Sequence, residues 1–247
     1  MPATPAWPPK SAPRLFVAGP LALHAELTID GPQGHYLARV MRVAADDVVV
    51  LCDDLSGAWA ARVTAADRRA VVLRVEASLA PREQVPDFTL CAALLKKDRF
   101  DLVLEKACEL GVRLIQPVLT RRCVADKLNL ERARSILIEA AEQCARTALP
   151  QLLSPVKLEA LLKGWPQQRT LYFADESGGA NAVHQFAEFP GAAALLTGPE
   201  GGFDEAERAA IRALPQVRAI TLGPRVLRGE TAAIAATALW MGTRGDW

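Results

Sequence analysis

The sequence predicts an α/β protein in two parts, a small β-rich domain over residues 14–78 and a larger domain over residues 87–247 built on a parallel sheet. Three observations lead there. Four β-prone runs, 14–17, 48–52, 58–63 and 70–75, are punctuated by Asp53, Asp54, Gly57 and Asp67, the spacing of a compact barrel. After Pro86, helix and strand signals alternate, as crossover helices between parallel strands require. Finally, the short uncharged run 192–197 and the mostly apolar run 217–222 each end abruptly in a glycine and a proline, the mark of buried strands that stop at a tight loop.

Residues 1–13 carry five prolines and no apolar stretch, so they read as a disordered lead-in and not as a signal peptide. The chain has 247 residues, 51% hydrophobic and 23% charged, enough for two cores. Its formal net charge is only +1, so contact with a polyanion would have to come from clustered arginines rather than bulk charge. With no run of eighteen apolar residues, neither a membrane span nor a membrane partner is expected, and the cytoplasm is the expected location. Cys52, Cys91, Cys108, Cys123 and Cys144 show no CxxC pairing, which suits reduced thiols. His24, His35 and His184 are too dispersed for a local metal motif, and no metal is expected.

Within the first domain one segment departs from β character. Residues 34–43 (GHYLARVMRV) put Leu37, Val40 and Met41 on one side of a helix and Arg39 and Arg42 on another. Together with Arg14 and His35 they offer a basic, partly aromatic surface for phosphates and a base. A linker over residues 79–86 follows.

The second domain opens with a strand at 88–95. Asp98 is placed as the cap of a helix whose Val103, Ala107 and Leu110 repeat at helical spacing, and Gly111 ends it. A strand at 112–119 precedes a helix capped by Asn129, with Leu130, Ala133, Leu137, Ala140, Ala141 and Cys144 as its buried stripe. A short helix at 158–163 and a strand at 171–174 lead to the polar loop Asp175, Glu176, Ser177 and Gly178. Asp204 and Glu207 form a capping box for the next helix, with Phe203 stapling against Arg208 or Ala209, and Glu230 opens a last helix through Trp240.

Both glycine loops leave the carboxyl ends of strands, where ligands of open α/β sheets bind, so the two are expected to share a pocket, for which the 175–178 loop is a further candidate wall. Three cationic clusters also sit at strand or helix ends: Lys96, Lys97 and Arg99; Arg121 and Arg122; and Arg146. Of these, Arg99, Arg121 and Arg122 join Arg14, His35, Arg39 and Arg42 as the expected RNA contacts.

RLFV from residue 14, HYLARVMR, KKDRFDLVLEKACELGV, EAAEQCAR, LLTGPEGGFDEAE and LGPRVLRGETAA occur in the order that makes the chain resemble the RsmE family of ribosomal RNA small subunit methyltransferases, within the SPOUT superfamily. The resemblance implies a PUA-like RNA-binding β-barrel followed by a SPOUT α/β trefoil-knot domain, and a homodimer. It implies S-adenosyl-L-methionine as methyl donor and N3 of a uridine in 16S ribosomal RNA, or the small subunit, as target. It assigns the donor to Leu196, Thr197, Gly198, Pro199, Gly201, Gly202, Leu222, Gly223, Val226, Leu227, Arg228, Thr231 and Ala232. Glu200 and Glu230 are then the candidate bases, and Arg146 and Arg228 the candidate stabilisers of charge on the uracil oxygens. Two positions depart from the family pattern: Ala145, where glycine is usual, and Gly229, where a larger residue is expected. Another RNA substrate, or a non-catalytic RNA-binding assembly factor, is the competing expectation.

Overall fold

The computed structural model describes residues 7–9 and 11–247. Residues 1–6 and 10, more than half of the expected lead-in, lie outside the described residues. The chain divides into two compact units, one running to Gln84 and including Ala141–Ala148, the other comprising Val85–Ala140 and Leu149–Trp247.

The first unit carries β1 (Arg14–Phe16), β2 (Glu26–Ile29), α1 (Gly31–His35), a π-helical turn (Tyr36–Met41), β3 (Val48–Cys52), β4 (Ala58–Ala66) and β5 (Val71–Ala80). They form one five-stranded sheet in the order β1-β3-β4-β5-β2, with β1 and β3 parallel and the other pairs antiparallel. Leu15, Leu37, Val49, Leu51, Val63, Leu73 and Val75 fill its core. Strand β2 escaped the sequence reading because it is a four-residue edge with a single buried side chain, Ile29, and so shows no apolar run.

The expected helical side at 34–43 is only partly right. Leu37 is fully buried, but Val40 is 61% and Met41 38% exposed. The segment winds as a π-helix, whose extra residue per turn carries positions three and four after Leu37 away from the core. Arg42 then ends it in the left-handed region, φ 55°. Nearby, Asp53 knots a turn by accepting from Leu21 N, Leu55 N, Ser56 N and Ser56 Oγ. Burial by itself would raise this carboxyl, but those hydrogen bonds outweigh it and hold the pKa at about 2.

Residues 141–148 are stitched into the same unit. Glu142 Oε1 accepts from Phe16 N at 2.8 Å, and Glu83 Oε1 accepts from Arg146 Nε at 3.2 Å, Thr147 N at 3.0 Å and Ala148 N at 2.9 Å. Ala145 makes the turn between them at φ 62°, a conformation that glycine adopts without the steric cost of a Cβ. Cys144, expected in the buried stripe, is exposed, because the helix ends there and the left-handed turn redirects the chain.

The second unit contains β6 (Phe88–Ala93), α2 (Lys97–Glu109), β7 (Leu114–Leu119), α3 (Leu130–Cys144, its last turn assigned to the first unit), β8 (Gln151–Leu152), β9 (Val156–Lys157), α4 (Leu158–Lys163), β10 (Thr170–Ala174), β11 (Ala180–Asn181), α5 (Ala182–Glu188), β12 (Ala193–Thr197), α6 (Glu205–Arg212), β13 (Val217–Thr221) and α7 (Gly229–Arg244). All its strand pairs are parallel, in the order β11-β13-β10-β12-β6-β7-β8, with β9 also on β7.

Successive side chains of the strands face opposite layers. Cys91, Phe173 and Leu196 pack with Leu158, Leu162 and Ile211 of α4 and α6. On the other side, α7 packs on β6 and β12 beside α2 and α5, with Trp240 stacked on Phe88 at 4.3 Å and Phe186 edge-on to Tyr172 at 4.7 Å. Burial at Cys91 pushes its thiol up to about 12, as befits a core residue with no thiolate chemistry.

Two capping expectations need correction. Asp98 lies inside the first turn of α2, whose N-cap is Lys96 with no side-chain cap; Lys96 N donates instead to Glu200 Oε1 at 3.0 Å, so a distant carboxylate occupies the helix end. The Asp204–Glu207 capping box of α6 forms as expected. Phe203 does not staple it, turning into the core edge-on to Phe173 at 5.2 Å.

Candidate functional site: a cavity where three strands end

Strands β13, β10 and β12 are consecutive in the sheet, so their carboxyl ends open side by side. From β13 the chain must reach α7, which packs over β12 and β6; residues 222–228 therefore cross the end of β10. Those three strand ends enclose a cavity lined by Ala174, Asp175 and Glu176 after β10, Gly198 and Pro199 after β12, and Ile220 to Leu227 with Gly229 and Ala232 around the last loop.

Glycine is required here for two different reasons. A Cβ on Gly198 would come within 2.8 Å of the Phe203 ring, and one on Gly229 would meet Leu95 Cδ2 at 2.8 Å and Gly198 O at 3.0 Å. The two loops thus touch backbone to backbone, and the glycine at 229 answers to a neighbour that leaves no room for a larger residue. Gly223 has open space but φ +117°, which L side chains rarely adopt.

The 175–178 loop is braced from behind. Asp175, its side chain wholly buried, accepts from Arg208 Nη1, from Ser177 N at 2.9 Å and from Arg212 Nε and Nη2 at 2.9 and 2.6 Å. Burial works to raise this carboxyl, but the hydrogen bonds from Ser177 and Arg212 and the Arg208 charge win and hold it below its ordinary value. Arg208 Nη2 also holds Glu176 Oε1 at 2.9 Å, so the carboxylate in the cavity wall is anchored by one oxygen.

Of the residues assigned to the donor by sequence, Gly198, Pro199, Leu222, Gly223, Val226, Leu227 and Ala232 line the cavity. Leu196 and Thr197 are buried in β12 just below it. Gly201 packs on Arg122, whose Nη1 donates to Gly201 O at 3.1 Å, and Gly202 packs on Glu176. Thr231 is exposed in the first turn of α7, and Arg228 is exposed as its N-cap. Pro224 and Arg225, inside the 222–228 loop expected to hold the donor, line the cavity too. The sequence reading missed Ala174, Ile220 and Thr221, the last residues of β10 and β13, which only the crossing of residues 222–228 over β10 brings to the cavity.

The other candidates fall into separate places. Glu200 and Glu230 face Arg99, whose Nη1 is 3.7 Å from Glu200 Oε1 and whose Nε is 3.9 Å from Glu230 Oε1. Arg121 N donates to Glu207 Oε1 and its Nη1 to Asp204 Oδ2, tying the loop after β7 to the start of α6. In the first unit, His35, Arg39 and Arg42 are exposed beside Val40 and Met41, while Arg14 Nη1 reaches Cys52 Sγ at 3.7 Å. Arg146 also belongs to this unit, its side chain 3% exposed against Glu83. No cluster of potential metal ligands occurs among the described residues, and no helix there is long and apolar enough to cross a membrane.

Residues 81–241 match the family model described as an RNA methyltransferase domain and residues 29–76 that of an RNA methyltransferase PUA domain, so the parallel sheet with its crossed-over, glycine-lined cavity is that of an α/β trefoil RNA methyltransferase. Among curated relatives, the ribosomal RNA small subunit methyltransferase E of Synechocystis is 30% identical over 91% of this chain and 76% of its own. A solved ribosomal RNA small subunit methyltransferase E from Neisseria gonorrhoeae, bound to S-adenosyl methionine, is 28% identical with a TM-score of 0.86, covering 96% of this chain and 99% of that one. A putative methyltransferase from Legionella pneumophila, also with bound cofactor, is 27% identical at the same TM-score and coverage. The chain belongs to the ribosomal RNA small subunit methyltransferase E family.

Proposed function

We propose that this protein transfers a methyl group from S-adenosylmethionine to N3 of one uridine in 16S ribosomal RNA, working as a cytoplasmic homodimer. The observation that carries the reading is the cavity at the ends of β13, β10 and β12. Its walls suit the donor: Ile220, Leu222, Leu227, Pro199 and Ala232 are apolar faces for an adenine, the loops put backbone amides and carbonyls beside it, and Glu176, anchored by Arg208, is a carboxylate suited to ribose hydroxyls. When bound, S-adenosylmethionine supplies an electrophilic methyl on a sulfonium.

The protein's own residues then have three tasks. They must hold the reactants in line, accept the proton of uridine N3, and stabilise charge on the uracil oxygens. Glu200 and Glu230 are the acceptors we assign, and Arg228, exposed at the start of α7, the cation. Arg146, steadied by Glu83, is the second cation candidate; an Arg146→Ala protein that methylates RNA at the wild-type rate would remove it from the mechanism. Because N3 lies on the pairing edge, the uridine must be presented unpaired; His35, Arg39 and Arg42 form the surface we assign to holding the RNA backbone, with Arg14, Arg121 and Arg122 as further contacts.

The test is transfer of labelled methyl from S-adenosylmethionine to small subunits from cells lacking the protein, with the product nucleotide mapped by mass spectrometry. A single N3-methyluridine is expected. Donor binding without incorporation would point to another RNA, and the absence of donor binding to a non-catalytic assembly factor.

A further inference from the structure

Two buried carboxylate oxygens in the second unit, Oε2 of Glu200 and Oε2 of Glu230, have no hydrogen-bond partner among the described residues. Each adjoins a residue that lines the cavity without lining it itself: Glu200 follows Pro199 in the loop after β12, and Glu230 follows Gly229 in the first turn of α7. Arg99, in the first turn of α2, stands between their other oxygens at 3.7 and 3.9 Å. Both separations exceed hydrogen-bond length, so the guanidinium serves as a shared cation and not as a fork on either carboxylate. Side-chain exposures of 32% for Arg99, 18% for Glu200 and 11% for Glu230 describe a cluster turned inward, unlike a surface arginine awaiting phosphate.

We infer that Arg99 is a positioning residue of the methyl-transfer site and not a contact to the RNA backbone: it sets Glu200 and Glu230 against each other and leaves one oxygen of each for a hydrogen-bond donor that the reactants bring. The inference rests on the methyltransferase reading above. Buried acceptors without partners are rare in folded proteins and call for an occupant, and the N3–H of a uracil imide is a donor of the required kind.

The same cation acts on the cavity. Glu230 adjoins Gly229 and Glu200 lies two residues from Gly198, the residues at which the two loops touch, since a Cβ on Gly229 would lie 3.0 Å from Gly198 O. Without Arg99, two buried carboxylates would face each other across that contact, and like charges at close range push apart. Lys96 N holds Glu200 from one side only, so the strain would fall on the loop contact that closes the donor cavity.

The experiment compares the full-length wild type with Arg99→Met and Arg99→Lys in methyl transfer to small subunits, with donor affinity measured by calorimetry and folding by thermal midpoint. For Arg99→Met, kcat at saturating RNA is expected to fall about tenfold or more and the donor Kd to rise, with the KM for RNA and its salt dependence unchanged. Arg99→Lys restores part of both, and adding Glu200→Gln to Arg99→Met relieves the repulsion and returns the donor Kd to within about threefold of wild type. A wild-type kcat and donor Kd in Arg99→Met, with a raised RNA KM and a shallower salt dependence, would overturn the inference in favour of a phosphate contact. So would a double variant that recovers no donor affinity. A wild type that transfers no methyl defeats the functional reading alone, and the donor affinities of the variants still decide the role of Arg99.

Discussion

The two loops that face each other across the cavity are built in opposite ways. In the loop after β12, Gly198 lies against Phe203, Gly201 against Arg122 and Gly202 against Glu176, so each glycine is crowded by a named neighbour. In the loop after β13, a Cβ on Gly223 would meet nothing within 4 Å, the backbone there is held by the Thr221 hydroxyl two residues before it, and Val226 is 84% exposed. The first is a wall fixed by packing before any ligand arrives; the second is shaped by backbone conformation and left with its contacts unmade. A site that must admit and release a flat, charged ligand gains by fixing one side and leaving the other free to close.

The largest effect is expected where the fixed side is braced. Asp175→Ala removes a wholly buried carboxylate that binds both the largely buried Arg208 and the partly exposed Arg212, and should cost about 3 kcal/mol or more in denaturant unfolding. Since the Asp175 pKa is lowered in the folded state, the stability it contributes is full above the ordinary carboxylate range and lost as pH falls below it; the variant should lose that acid dependence. Next comes Gly198→Val, whose side chain must displace the Phe203 ring and should cost about 1–3 kcal/mol by thermal unfolding.

On the open side the balance reverses. Gly223→Ala meets no atom but strains the backbone by about 1–3 kcal/mol, a cost the exposed loop can escape by moving. Its thermal midpoint should hardly shift, while calorimetry should show donor affinity about tenfold weaker. If instead Gly223→Ala destabilised the fold as much as Gly198→Val, the contrast between the loops would be lost. The same backbone argument runs backwards at Ala145: Ala145→Gly removes the Cβ penalty at φ 62° and should stabilise the first unit by up to about 1 kcal/mol.

Much of this was legible in the sequence because local chemistry dictates it. The Asp204–Glu207 box, the Asn129 cap, which accepts from Arg132 N at 3.0 Å, and the fully buried run of β12 depend on neighbours within four residues, whereas β13, expected to be buried as well, buries only Ile220. The pocket was expected for the same reason, since both loops had to leave strand ends. What could not be read was anything fixed by a distant partner. Glu200 takes the end of α2 that Asp98 was expected to cap, and Phe203 turns into the core, edge-on to Phe173. Arg99, Arg121 and Arg122 look alike as cations at strand ends, yet the fold gives them to Glu200 and Glu230, to Asp204, and to Gly201 O respectively. The π-helical winding at 36–41 likewise leaves no signature in residue spacing that distinguishes it from an α-helix.

A crystal structure of the full chain with S-adenosylmethionine would decide where the donor sits. The account predicts density in the cavity, with the adenine between Pro199 and the 220–227 segment and the loop around Gly223 and Val226 drawn in over it while Gly198–Gly202 keeps its place. Donor density elsewhere, or a bound complex in which the loop after β12 is the one that moves, would contradict it.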